Sequence, residues 1–268
     1  MKWFTRTRGL FWGRLMPRLG SRSRVPVIVR VSLAMFGLLL LYALTLAGRN
    51  GLAYLYAEPA RDFLQDKRDA GITLTETEWQ AIHANLRQAL DLSPNDPNTL
   101  SELGRLHRIQ LEQDALDPMA IERHGNLAID YYERAANLRP AWPSVWISLA
   151  HVRWELYQDS GDDYHQALIH AIHFGPWERG VQSWVVDLAL DTWGSLSPGA
   201  SHAVLAMIDR SLERAPAALD AIVDAEWQTL CRAASPAAAA EPDDGRTTDE
   251  LSRLQGHCET LTPTGHEI

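Results

Sequence analysis

Two cysteines in 268 residues are too few to frame a fold with disulfides, and Cys231 and Cys258 have neither zinc nor redox spacing. The chain also lacks a Walker loop, a GxGxxG turn, a nucleophile elbow, an HExxH pattern and any paired-carboxylate arrangement. No reaction class is left with residues to carry it, so the expectation is a non-enzyme with no catalytic residue, no cofactor and no metal. Acid is missing from residues 1–30, which carry eight Lys and Arg; the whole chain is −9, so residues 31–268 stand at −17. A body that acidic repels phosphate backbones, which excludes nucleic-acid binding by the folded part.

What is present early in the chain is a long apolar run. From Val25 to Ala47 only Arg30 is charged. Val31 to Ala47 alone would make roughly 25 Å of helix, close to a ~30 Å hydrocarbon layer, and Arg30 can reach the headgroups. The reading is a transmembrane helix over 25–47 behind a basic cytoplasmic tail, 1–24. The positive-inside rule then places everything after Gly48 across the membrane. A cleaved signal peptide, with Thr45 and Ala47 before the cut, is the competing reading. Trp3, Phe4, Phe11 and Trp12 among the arginines suit either an interfacial segment or a plain basic tail.

Residues 48–75 read as a linker around Pro59, the first part continuing the anchor helix or lying at the outer interface. Thr75 to Glu78 has the form of a capping box ahead of Trp79, Ile82, Leu86 and Ala89, so the folded domain is expected over 76–232. Residues 217–232 would cap it, and 233–268, Ala/Pro/Asp-rich and without periodicity, would be mostly disordered. An oxidising compartment would permit a Cys231–Cys258 disulfide tying that tail back; two unpaired thiols is the other reading.

Within the domain four helices end in similar words, at Pro94, Pro140, Pro176 and Pro216, spaced 46, 36 and 40 residues apart. Ala128, Tyr132, Ala135 and Pro140 recur in kind as Tyr164, Leu168, Ala171 and Pro176. Forward of each proline come Leu103 and Gly104, then Trp146, Leu149 and Ala150. Small residues allow close approach, bulky ones fill the gap, and a proline closes the unit, the logic of helical-hairpin repeats. The pattern resembles the tetratricopeptide repeat (TPR) family, whose period is about 34 residues. An all-α solenoid of three to four hairpins plus one membrane helix follows from that resemblance.

The resemblance also implies a concave groove lined by the first helix of each hairpin. Its positions fall on Asn98, Ser101, Arg105 and Arg108, then Ser144, Ile147, His151 and Trp154, then Ser183, Asp187 and Asp191. Such a groove shifts from basic to aromatic to acidic, and would take a partner segment of opposite polarity with an apolar anchor.

Two other groups were candidates for chemistry. His165, His170 and His173 near Asp162 and Asp163 lack a ligand pattern, and only His170 and His173 share a helix face, so solvated surface histidines are expected. Ten tryptophans are many for this length, and exposed ones would suit sugar faces. Trp146 sits at a repeat packing position instead.

Taken together, the basic tail, the single anchor, the Leu-Ser-Pro…Leu-Gly-Arg-Leu stretch at 92–106 and the Leu-Arg-Pro-Ala-Trp-Pro…Trp run at 138–146 make a narrower likeness. With Phe-Gly-Pro-Trp-Glu at 174–178 and a Cys-ended helix near 231, they resemble the VpsP-like accessory proteins of bacterial exopolysaccharide biosynthesis. That resemblance, over residues 30–232, implies a non-catalytic inner-membrane component with a periplasmic domain. Its partners would be envelope proteins of a polysaccharide synthesis or export complex. A glycan-binding envelope module, with polysaccharide itself as the partner, and a general periplasmic TPR assembly or chaperone factor are the alternatives.

Overall fold

The computed structural model describes residues 26–69, 73–111, 117–157 and 161–214, together with Ser252 and Gly256. The basic tail 1–24, the capping segment 217–232 with Trp227, the pair Cys231 and Cys258, and nearly all of 233–268 lie outside the described residues. Among those described, every regular element is helical. They are α1 (Val27–Asp69), α2 (Glu76–Leu92), α3 (Pro97–Leu111), α4 (Pro118–Leu138), α5 (Pro143–Tyr157), α6 (Asp162–Phe174), α7 (Arg179–Asp191) and α8 (Pro198–Arg214). A single 3₁₀ turn, Trp193–Ser195, stands between α7 and α8.

Two units divide the chain, Met1–Gly48 and Arg49–Ile268. In the first, Val27 to Ala47 are exposed throughout. Among the described residues α1 is the one helix long and apolar enough to cross a membrane.

In the second unit, the stretch read as linker is helical as far as Asp69 and belongs to the core. Ala53, Ala57, Ala60 and Leu64 follow the spacing of one helix face and are all buried. Pro59 forfeits one backbone hydrogen bond without ending the helix. Arg49 reaches the Asp91 carbonyl at 3.5 Å, Arg61 pairs with Asp96 at 3.3 Å, and Lys67 Nζ lies 2.9 Å from Glu78. The folded unit therefore starts at Arg49, ahead of Thr75. At Thr75 the capping box is in place: the Thr75 hydroxyl accepts from the Glu78 N–H at 3.3 Å, and Glu78 Oε2 accepts from the Thr75 N–H at 2.9 Å. Lys67 first, then Thr75, hold the Glu78 carboxyl down to about 2.

The same connection is built three times. After α2, α4 and α6 the residue past the helix, Ser93, Arg139 or Gly175, donates its N–H to the carbonyl of Ala89, Ala135 or Ala171, four residues back. A tight turn holding Pro94, Pro140 or Pro176 follows, closed in each case by a 3.2 Å bond from Asp96, Trp142 or Glu178. Pro97 and Pro143 then occupy the first position of the next helix, where a missing N–H costs nothing. The alanines of these motifs are fully buried, Tyr132 is buried, and Trp146 is half-buried with its indole N–H donating to the Pro140 carbonyl at 2.6 Å. The 3₁₀ turn followed by Leu196 and Ser197 separates α7 from α8.

From α2 to α8 each helix packs on its successor, and α3 also meets α5, α5 meets α7, and α6 meets α8. Arg153 of α5 crosses its neighbours, donating to Glu133 of α4 at 2.6 Å and to the Asp163 carbonyl of α6 at 2.7 Å. One apolar cluster runs from Ala53 to Ile208. Close approach within it rests on glycine. A β-carbon on Gly125 would lie 2.8 Å from the Leu156 methyls, and one on Gly175 would lie 2.6 Å from the Pro143 ring. Gly175 has a φ of −123°, so its missing side chain, rather than any backbone freedom, is what the packing uses.

Candidate functional site

Three of the helices at which groove residues were expected, α3, α5 and α7, meet through side chains. On α5, Ile147 and His151 lie one turn apart; on α7, Trp184, Asp187, Leu188 and Asp191 form one face. Together these six line a cleft of about 120 Å³. Arg108 of α3 reaches into the same cluster. Its guanidinium lies 5.3 Å from the centre of the Trp184 ring and 3.5 Å from His151 Nδ1. His151 stands edge-on to Trp184, centroids 5.6 Å apart at 87°.

Arginine can only donate, so His151 Nδ1 accepts and the ring proton sits on Nε2, 3.6 Å from Glu155 Oε1. Burial, then the Arg108 charge, push His151 down to about 4. The ring is therefore neutral at neutral pH, and Arg108 supplies the positive charge here. Asp187 and Asp191, which also line the cleft, are exposed. The result is a small mixed pocket lined by Ile147, Leu188, His151, Trp184, Asp187 and Asp191, with the Arg108 guanidinium over the indole.

Of the expected groove residues, Arg108, Ile147, His151, Asp187 and Asp191 are thus brought together. Arg105 instead pairs with Glu102 on its own helix at 2.7 Å. Ser144 is exposed, its carbonyl accepting from the Ser148 hydroxyl at 2.9 Å. Trp154 is half-buried, its ring 6.4 Å from that of Tyr164 on α6. Asn98 bonds back to Asp96. Trp184 was not among the positions the repeat pattern supplied; its place one turn before Asp187 and two before Asp191 on the same face is the signal that could have found it.

The histidine expectation needs correcting. His165 is buried rather than solvated: its Nε2 accepts from the Ser197 N–H at 3.0 Å and so helps seat the start of α8. His170 is half-buried against Trp146, centroids 4.5 Å apart. His173 is exposed. Among the described residues no group of three His, Cys, Asp or Glu could hold a metal ion.

A second, larger cleft of about 460 Å³ lies between α6 and α8, with Ile172, Ala206, His173, Trp177, His202 and Arg210 among its lining residues. Trp177 is 50% exposed, the most exposed indole of the described domain. No protein-family model and no curated protein matches the chain.

Proposed function

We propose that this protein is a non-catalytic, membrane-anchored scaffold built from TPR-like helical hairpins, and that its α3–α5–α7 face docks a segment of a partner protein. The observation that carries the reading is the meeting of Arg108, His151 and Trp184 from three successive first helices beside one small cleft. The thrice-built proline turn and the contacts α3–α5 and α5–α7 favour a stacked repeat over an irregular bundle. A volume of about 120 Å³ suits one side chain and falls well short of the ~300 Å³ at which small-molecule sites begin. A partner would place an apolar or aromatic anchor against Ile147 and Leu188, and a basic residue near Asp187 and Asp191.

The unburied Val27–Ala47 stretch supports the anchor, and the eight basic residues before Val31 favour a cytoplasmic N-terminus with the domain in the periplasm. With the likeness to VpsP-like proteins, the role proposed is assembly of exopolysaccharide synthesis or export machinery in the bacterial inner membrane. Photo-crosslinkers at Ser144 and Asp187 in intact cells test it. They should capture membrane proteins of a polysaccharide export complex, and R108E should abolish capture while leaving the helical signal unchanged. Capture that survives charge reversal, or that spreads over unrelated envelope proteins, defeats the docking face or the assignment to polysaccharide machinery respectively.

The α6–α8 cleft favours a second reading, a glycan-binding module. An exposed indole over an apolar floor, with Arg210 at the rim, suits a sugar face. Oligosaccharide titration of wild type and Trp177→Ala separates the two readings, because the scaffold role needs no change of heat on adding sugar.

A further inference from the structure

Three histidines far apart in the chain, His83 of α2, His107 of α3 and His124 of α4, converge on Trp79. His107 and His124 are 3% and 8% exposed, and their Nδ1 atoms lie 2.9 Å apart. Trp79 stacks on His83 (centroids 4.8 Å, planes 9° apart) and stands steeply to His107 at 5.6 Å and to His124 at 5.5 Å. Its indole N–H donates to the Leu106 carbonyl at 3.1 Å, which fixes the ring in place. Tyr131 of α4 stacks on His107 at 5.7 Å.

A 2.9 Å contact between two ring nitrogens holds one proton: one ring donates and the other accepts. Protonating both rings leaves two N–H groups pointing at each other. His107 Nε2 is buried with no hydrogen-bond partner, so an imidazolium there would also carry an unmatched charged donor.

The charges around the cluster do not help a proton enter. From α2 come His83, Arg87 and Glu76, and from α4 come Arg123 and His124, with the Tyr131 ring stacked on His107. Glu76 favours the charged form of His124, against the cations. On α5, which also packs on α3, His151 faces Arg108, and Glu155 lies beside that His151. Burial first, then His124, His83, Arg123 and Arg87, hold His107 down to about 3. Burial also lowers His83 and His124.

We propose that the His83–His107–His124 junction is an acid-sensitive latch: protons entering it break the imidazole bond between α3 and α4 and release α2. The opened form exposes imidazoles of ordinary basicity, so below about pH 6.5 it binds protons that the closed form refuses. Closure is therefore full strength above about pH 6.5 and weakens as pH falls toward 3. For His107 alone the opening constant rises about fivefold between pH 6.5 and 5.5 and about tenfold over the next unit, and the other two rings steepen it.

Amide hydrogen exchange on the full chain in detergent micelles, corrected for intrinsic rates, reads the latch directly. Between pH 6.5 and 5.5 the protection of α2 should fall at least about tenfold relative to α8. The H107F/H124F variant keeps ring-shaped packing but removes both nitrogens, and should flatten that response. Protection of α2 that tracks α8 at every pH, or a double variant with the wild-type acid response, overturns the latch. Should the variant fail to fold, the wild-type His107 ring signal followed by NMR decides. A ring that titrates near pH 6.5 with the helices still closed sinks the proposal, and one unshifted down to pH 5 while exchange rises supports it.

Discussion

Gly104 of α3 lies flat against the ring of Tyr132 on α4, so closely that a β-carbon there would come within 2.9 Å of Cδ1 and Cε1. Both residues are buried, Gly104 in the first helix of its hairpin and Tyr132 in the second. The ring is locked by the core and cannot swing aside as a surface side chain would.

The first prediction follows. Gly104→Ala would gain up to ~1 kcal/mol of helix propensity but overpack a fixed ring, which costs about 1–3 kcal/mol. Net destabilisation of about 1–2 kcal/mol is expected, a fall of several degrees in thermal midpoint for a domain this size. Adding Tyr132→Leu should return part of that loss, because it clears the space. A Gly104→Ala chain that melts at or above the wild-type temperature would show that the two helices can separate without penalty.

The second concerns a buried hydroxyl pair. Thr192 donates to the Leu188 carbonyl at 2.7 Å, so the Tyr164 hydroxyl must donate to Thr192, also at 2.7 Å. Burial raises Tyr164 to about 12, which keeps it a donor at any working pH. Thr192→Val strands that donor and should cost about 1–3 kcal/mol, whereas Tyr164→Phe should cost about 0.5–1.5 kcal/mol. The double variant should lie close to Tyr164→Phe alone. Strict additivity in urea melts would mean the two hydroxyls do not speak to each other.

How much of this was readable beforehand can be seen by comparing two sets of histidines. His165, His170 and His173 draw the eye because they are neighbours in the chain, yet His165 is buried and holds the Ser197 N–H. His83, His107 and His124 are separated by 24 and 17 residues, and nothing but the packing of α2, α3 and α4 brings them together. Helix ends fared better, since the Pro94, Pro140 and Pro176 turns and the Thr75 capping box are local hydrogen-bond devices written in adjacent residues. Residues 49–69 show the opposite failure. Pro59 and the surrounding charges suggest a linker, while the buried spacing of Ala53, Ala57, Ala60 and Leu64 is short-chained and easily overlooked. On α3, the repeat pattern could not foretell that Arg105 would pair with Glu102 and leave Arg108 to meet Trp184.

A third prediction tests the electrostatics at that meeting point. His151 titrates near 4, below the ordinary value of 6.5, so it favours the folded form above pH 6.5 and that advantage fades as pH falls toward 4. Burial is the larger cause and Arg108 the smaller. Arg108→Gln should therefore raise the His151 value only part of the way back, visible in the ring proton shifts by NMR. Full recovery to 6.5 would mean the charge, and not burial, governs the ring.

The fourth concerns the exposed stretch of α1. An arginine at the middle of a spanning helix costs about 2.5–3.5 kcal/mol of insertion, so Leu39→Arg should move a large share of the protein out of the carbonate-washed membrane pellet. Glu58→Arg, placed beyond the apolar run, should not. Retention of Leu39→Arg in the pellet would argue that something other than α1 holds the chain there.

The burial of Ala53, Ala57, Ala60 and Leu64 also sets where the protein can be cut. Trimming the coding sequence to Thr75, at the capping box, would strip these four side chains from the apolar cluster and leave greasy surface behind, a recipe for precipitation during purification. Starting at Arg49 retains them while discarding the apolar run, and is the natural first choice for a water-soluble preparation.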